Sequence, residues 1–144
     1  MLRHLEMEQI RYGRLKNVDT AFDATVLRVK EELRKEGFGV LTEIDVRDTF
    51  RNKLDKPFRP YTILGACNPS LAWTALEAEP EIGLLLPCGV VIQETRDGTG
   101  VTVSIASPEA MFSLVDNPAV LDLAREGPAK PVDFPGLDAT TVAA

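Results

Sequence analysis

The sequence is poor in the residues from which metal sites and hydrolases are built. It has a single histidine, His4, and two cysteines, Cys67 and Cys88, among 144 residues. One histidine near the start of the chain cannot supply a Ser-His-Asp triad. The twenty residues between the cysteines fit neither a Cys-x-x-Cys redox motif nor a zinc knuckle. We therefore predict no structural metal and no cofactor, and nucleotide binding has no Gly-x-Gly-x-x-Gly or Walker motif to support it.

Basic charge and long apolar runs are also scarce. The chain has 16 Lys and Arg residues against 22 Asp and Glu, a net charge of −6, whereas binding to a nucleic-acid backbone needs a basic stripe. A membrane helix needs about 20 apolar residues, and the longest run, 83–92, is interrupted by Pro87. The first residues lack the apolar core of a signal peptide. These absences predict a cytoplasmic protein that binds neither nucleic acid nor membrane, and in that compartment two cysteines argue against a disulfide framework.

The pattern that remains is that of a single α+β domain over residues 1–126, with a mobile tail over 127–144 where prolines and glycines break every period. Between Phe22 and Leu33 apolar residues recur at i, i+4, i+7 and i+11, which is one face of a helix. Asp19 is a plausible N-cap for this helix and Gly37 a plausible C′ residue.

Alternating and continuous apolar runs predict the strands. These runs are Phe38–Asp45, Tyr61–Ala66, Gly83–Thr95 with a bulge at Pro87, and a hairpin partner from Val101. Asn68-Pro69 and Ser107-Pro108 each read as an N-cap followed by proline at the first helical position. Together these elements predict a mainly antiparallel sheet with helices packed on one face. Apolar surface would then stay uncovered at Leu41 and at every second residue of 84–92. A homodimer would bury this surface.

Separated blocks of the sequence carry a family resemblance. They are Lys35–Asp45, Tyr61–Pro69, Glu77–Gly83 and Gly83–Cys88. The chain from Thr20 to Leu123 resembles the bacterial and archaeal family called domain of unknown function 302. The resemblance implies a dimeric α+β fold similar to the TATA-binding-protein-like β-α-β(4)-α arrangement, with no established activity and no claim of DNA binding. The chain departs from the family in reading Gly89 after Leu86-Pro87-Cys88, where asparagine is common.

The two cysteine segments predict the candidate site. Cys67 directly precedes the predicted N-cap Asn68, and the free amides of a helix N-terminus stabilise a thiolate. Cys67 could therefore be a nucleophile, a persulfide carrier or a soft-metal ligand, or simply a small buried core residue. Cys88 lies between Pro87 and Gly89, so its side chain could face a cleft, or it could be a core thiol at a bulge in the strand. Asn68 could bind a ligand, although capping already explains it, and Tyr61 could frame the mouth of a cleft.

Paired carboxylates provide a further acid–base possibility. Glu43 and Asp45 should share the strand face opposite Val40, where they could act together. Ordinary solvated charges on a sheet face are the commoner explanation, because Asp and Glu are mostly exposed.

Three functions are consistent with these residues. The first is a small homodimeric binding or accessory protein with a small-molecule ligand in a cleft near the two cysteine-bearing turns. The second is a thiol-dependent enzyme or sulfur carrier that uses Cys67, with Cys88 as its partner. The third is a structural dimer without a ligand.

Overall fold

The computed structural model describes residues 8–126. In chain order the elements are β1 (Glu8–Ile10), β2 (Gly13–Val18), α1 (Phe22–Lys35), β3 (Gly39–Asp45), α2 (Val46–Leu54), β4 (Tyr61–Cys67), α3 (Pro69–Ala78), a 3-10 helix (Pro80–Leu85), β5 (Cys88–Glu94), β6 (Val101–Ala106), α4 (Pro108–Phe112) and α5 (Pro118–Glu126). His4 and the predicted mobile tail lie outside the described residues. No helix among those described is long and apolar enough to cross a membrane.

The strands form one antiparallel sheet in the order β1-β2-β6-β5-β4-β3. Helices connect and cover the strands, which confirms the predicted α+β class. The β5–β6 hairpin closes at the Arg96–Gly100 turn, where Gly98 has a φ of +72°. β3 forms one edge of the sheet, next to β4. Along the chain it follows α1 and precedes α2.

The main core lies between α1 and one face of the sheet, which we call the helix face. Val29 and Leu33 of α1 are fully buried, as are Leu64, Val90 and Ile92 on the central strands. Leu64 and Val90 are register partners, and so are Ile92 and Val103. Side chains alternate along a strand, so the helix face carries every second residue of each strand. The predicted apolar stripe of α1 is therefore confirmed.

The start of α1 differs from the prediction. The N-cap is Ala21, which makes no side-chain cap hydrogen bond, and the helix begins at Phe22. Asp19 is exposed and lies two residues too early to reach the free amides. The other end is as predicted: Gly37 has a φ of +84° after the helix, a conformation that glycine adopts without steric cost.

The segment 83–87 also differs from the prediction. The apolar run Gly83–Leu85 belongs to the 3-10 helix, and β5 begins only at Cys88. Ile82 anchors this helix in a second core cluster with Ala75, Phe112 and Val120. A short continuous apolar run has no periodicity that separates a buried strand from a buried helical turn. Packing against α3, α4 and α5 therefore decides its conformation.

A β-bulge changes the face that β3 presents. The register shifts between Val40 and Thr42, so Val40 is paired with Ala66 and Glu43 with Leu64. Ala66 and Leu64 lie on the same face, so Val40 and Glu43 do as well, contrary to the expectation that they are opposed. Glu43 accepts a hydrogen bond of 2.5 Å from Lys30 of α1. It is therefore held in a salt bridge between helix and sheet.

Candidate functional site

Four neighbouring strands have a terminus beside the candidate site, at one end of the sheet. β4 and β6 finish there, and β2 and β5 begin there, because neighbouring strands are antiparallel. The helices α3, α4 and α5 lie next to this end and enclose with it a cavity of about 310 Å³. Small-molecule sites in proteins have volumes of about 300–1,000 Å³. The cavity is therefore at the small end of that range.

The lining is mainly apolar with a few polar groups. Its apolar side chains are Phe38, Ala66, Leu71, Ala72, Ala75, Leu86, Ile105, Ala106, Pro108, Phe112, Leu123 and Ala124. Its polar or charged side chains are Arg14, Cys67, Asn68, Cys88, Ser107, Glu109 and Arg125. Such a mixture provides apolar contact over most of a ligand and a small number of oriented polar contacts.

Cys67 and Asn68 reach the cavity at the junction of β4 with α3. Asn68 is the N-cap of α3, and its Oδ1 accepts a hydrogen bond from the backbone N–H of Leu71 at 3.3 Å. Pro69 follows at the first helical position, as predicted. The carboxamide oxygen of Asn68 is thus occupied by capping, while Cys67 is a free, partly buried thiol.

Cys88 reaches the same cavity at the first position of β5. It is directly opposite Ala66 in the ladder and is also a free thiol. Burial raises the pKa of Cys88, and the neighbouring Cys67 raises it further. Cys88 therefore keeps its proton at pH values where an exposed cysteine begins to ionise.

The structure brings three of the four predicted ligand-binding residues together. Cys67, Asn68 and Cys88 all line the cavity, and Tyr61 does not. Tyr61 is the first residue of β4 and Cys67 the last, a separation of about 20 Å along an extended strand. Tyr61 instead contacts Phe58, at 5.9 Å between ring centroids, and the guanidinium of Arg59, at 5.6 Å.

Sequence reasoning missed the charged residues of the cavity. Arg14 lies on β2, and Glu109 and Arg125 lie on α4 and α5. Arg125 Nε is 3.4 Å from Glu109 Oε1. One local pattern pointed to the region of Glu109. Ser107-Pro108 repeats the N-cap and proline of Asn68-Pro69, and both pairs directly follow a strand. Nothing in the sequence indicated that Arg14 would join them. Within residues 8–126, no three His, Cys, Asp or Glu side chains are grouped so that they could hold a metal ion.

Comparison with known proteins identifies the family. A family model described as "Domain of unknown function DUF302" matches residues 15–130. The chain belongs to the DUF302 family. The chain is also similar to a solved structure, that of an uncharacterized conserved DUF302 protein from Bacillus stearothermophilus. The two are 28% identical over 80% of this chain and 88% of that chain, with a TM-score of 0.73. No curated protein matches. The predicted resemblance is therefore confirmed, and DUF302 membership by itself assigns no activity.

Proposed function

We propose that this protein is a small binding or accessory protein that holds a small organic ligand in the cavity beside Cys67 and Cys88. The observation that supports this most directly is that the cavity is lined by about a dozen apolar groups and a few convergent polar ones. Asn68 and Ser107 are both helix caps that line it, so its polar rim is held in place by secondary structure. A rigid, preformed site of this kind binds a ligand at little ordering cost.

A fragment screen by thermal shift, followed by calorimetry, tests this proposal. Ala72→Phe would fill the cavity from α3, while Ala78→Phe puts the same ring on the exposed side of the same helix. We expect fragments that raise the melting temperature of the wild type. Those fragments should bind Ala78→Phe normally and should not bind Ala72→Phe. Absence of any stabilising fragment, or binding that Ala72→Phe leaves intact, would refute ligand binding in this cavity.

We also propose that the protein is a homodimer. β3 is one of the two edge strands of the described sheet, and Leu41 and Ile44 on it are 65% and 48% exposed. The adjacent helix α2 has no buried residue, and its Leu54 is 57% exposed. An apolar edge strand with free backbone groups pairs readily with another strand. Two copies related by a two-fold axis would cover this surface symmetrically.

Sedimentation velocity distinguishes a dimer at this edge from a monomer. Ile44→Lys places a charge on the proposed interface, and Leu27→Lys places the same charge on the exposed side of α1, where Leu27 is 67% exposed. We expect the wild type and Leu27→Lys to sediment as dimers and Ile44→Lys as a monomer. A monomeric wild type would rule out the dimer, and a dimeric Ile44→Lys would rule out this interface.

A second candidate function is thiol chemistry at Cys67, either as a thiol-dependent enzyme or as a sulfur carrier. It is favoured by the position of both thiols on one cavity and by the location of Cys67 directly before the N-cap of α3. The raised pKa of Cys88 makes it the poorer nucleophile of the pair. Two free thiols are also what a reducing compartment such as the cytoplasm maintains, and we propose that location.

Alkylation of the native protein, mapped to each cysteine by peptide mass, separates the two functions. A thiol-dependent protein should show fast labelling of Cys67 in the native state, because a nucleophilic thiol must be accessible and reactive. A binding protein should show slow labelling of both cysteines until it unfolds. If Cys67→Ser loses thiol-dependent catalysis or sulfur loading but still binds the fragments like the wild type, thiol chemistry is favoured over simple ligand binding.

A further inference from the structure

The charged side chains of the cavity are not balanced. The described lining contains Arg14, Arg125 and Glu109. Arg125 and Glu109 are within 3.4 Å of each other, whereas Arg14 has no ion pair with a carboxylate of residues 8–126. The cavity lining therefore carries one excess positive charge, in a protein whose net charge is −6.

The sheet positions Arg14 on the cavity. Arg14 is directly opposite Ile105 in the β2–β6 ladder, and Ile105 also lines the cavity. Both residues therefore lie on the helix face, like Lys16 and Val18 further along β2. The neighbouring Gly13 lies against β6 so closely that an added Cβ would be 2.7 Å from the carbonyl oxygen of Ile105. This close approach fixes the backbone from which the Arg14 side chain extends.

We propose that Arg14 recognises the anionic group of the ligand, and that the cavity selects organic carboxylates whose apolar body fits a volume of about 310 Å³. This inference rests on the proposed ligand-binding function and specifies its ligand class. A guanidinium donates two parallel hydrogen bonds to a carboxylate. One excess positive charge matches a carboxylate better than a phosphate monoester, which carries about −1.5 to −2 at neutral pH. Leu71, Phe112 and Leu123 provide the apolar contact for the rest of the molecule.

Three linear probes with eight carbon atoms each and different head groups test the selection. Calorimetry with octanoate, octan-1-ol and octan-1-amine compares an anion, a neutral group and a cation on one apolar body. In the wild type, octanoate should bind at least about tenfold more tightly than octan-1-ol, since hydrogen bonds to charged groups are the stronger ones. Octan-1-amine should bind most weakly.

Variants of Arg14 connect the selection to that side chain. Arg14→Met should abolish the preference for octanoate over octan-1-ol, and Arg14→Lys should reduce it, because lysine keeps the charge but not the planar fork. Arg11→Met is the matched control, since Arg11 is exposed in the preceding turn and does not line the cavity. Melting temperatures of the free variants show that each one is folded.

The outcomes separate this inference from the function on which it rests. Equal binding of octanoate and octan-1-ol, or a preference that survives Arg14→Met, would overturn the role of Arg14 while leaving ligand binding in place. Failure of octanoate to bind the wild type would overturn the inference as well. The proposed function would then still be decided by the fragment screen with Ala72→Phe and Ala78→Phe.

Discussion

Ala66 of β4 is directly opposite Cys88 of β5 in the antiparallel ladder. Because Cys67 follows Ala66, this register brings together two thiols that have twenty residues between them in the sequence. After Cys67 the chain enters α3 at the N-cap Asn68. Both thiols line one cavity. This arrangement raises the pKa of Cys88. Burial is the larger cause, and the neighbouring Cys67 is the smaller one.

The first prediction concerns the pH dependence of Cys88. Its labelling by iodoacetamide in the native protein should have a midpoint above that of the same cysteine in urea, because burial disfavours the thiolate. Cys67→Ser should lower the native midpoint, since it removes the second cause. Folding stability should decrease as the pH rises through the unfolded pKa of about 8.5, where the unfolded state releases the proton first. Equal midpoints in native and unfolded protein would contradict this expectation.

The second prediction concerns close packing at Gly65. A Cβ added there would overlap Thr42 Oγ1 and lie 2.6 Å from Pro87 Cγ. Gly65→Ala should therefore lower the free energy of unfolding by about 1–3 kcal/mol, the usual cost of overpacking. Gly89 is its register partner, and an added Cβ there meets nothing within 4 Å. In urea denaturation, Gly89→Ala should thus behave like the wild type, and a similar loss in both variants would exclude the steric explanation.

The third prediction concerns the core under α1. Leu33 has no solvent exposure, whereas Leu27 on the same helix is 67% exposed. Leu33→Ala should cost about 2–5 kcal/mol of unfolding free energy, because it removes buried contacts and leaves a cavity. Leu27→Ala should change the stability by no more than about 0.5 kcal/mol, as surface substitutions usually do. Chemical denaturation measures both, and comparable losses would show that α1 packs on the sheet through a different face.

The fourth prediction concerns Asp97 in the β5–β6 turn. Its carboxylate accepts hydrogen bonds from the hydroxyls of Thr95, at 2.5 Å, and Thr99, at 2.7 Å, and these lower its pKa to about 2. A carboxyl-carbon NMR titration should give that midpoint. Thr95→Val should raise it, and Thr95→Ser, which keeps a hydroxyl, should restore most of the shift. Because the pKa of Asp97 is lower in the folded state, its carboxylate stabilises the fold. This contribution is present above the unfolded pKa of about 3.9 and is lost as the pH falls through the folded pKa.

Much of the local structure could be predicted from the sequence. Three local features were predicted: the α1 stripe, the Asn68-Pro69 and Ser107-Pro108 helix starts, and the Gly37 helix end. In each of them, successive residues of the pattern are no more than four positions apart. Cys67, Asn68 and Cys88 were predicted as candidates because each lies where a strand meets a turn or helix signal. The α1 N-cap was predicted wrongly, since Asp19 fits the composition of a cap but helical geometry begins three residues later, at Phe22.

The sequence by itself determined the starts of α3 and α4, the apolar stripe of α1 and the family motifs, because these depend on short-range backbone chemistry and on side-chain type. Tertiary structure decided which of these residues meet. The bulge at Leu41 moved Glu43 to the helix face, and packing against α3–α5 made Gly83–Leu85 helical. The β2–β6 register placed Arg14 on the cavity, 91 positions before Ile105. Such relationships depend on strand pairing between distant segments, which no local pattern encodes.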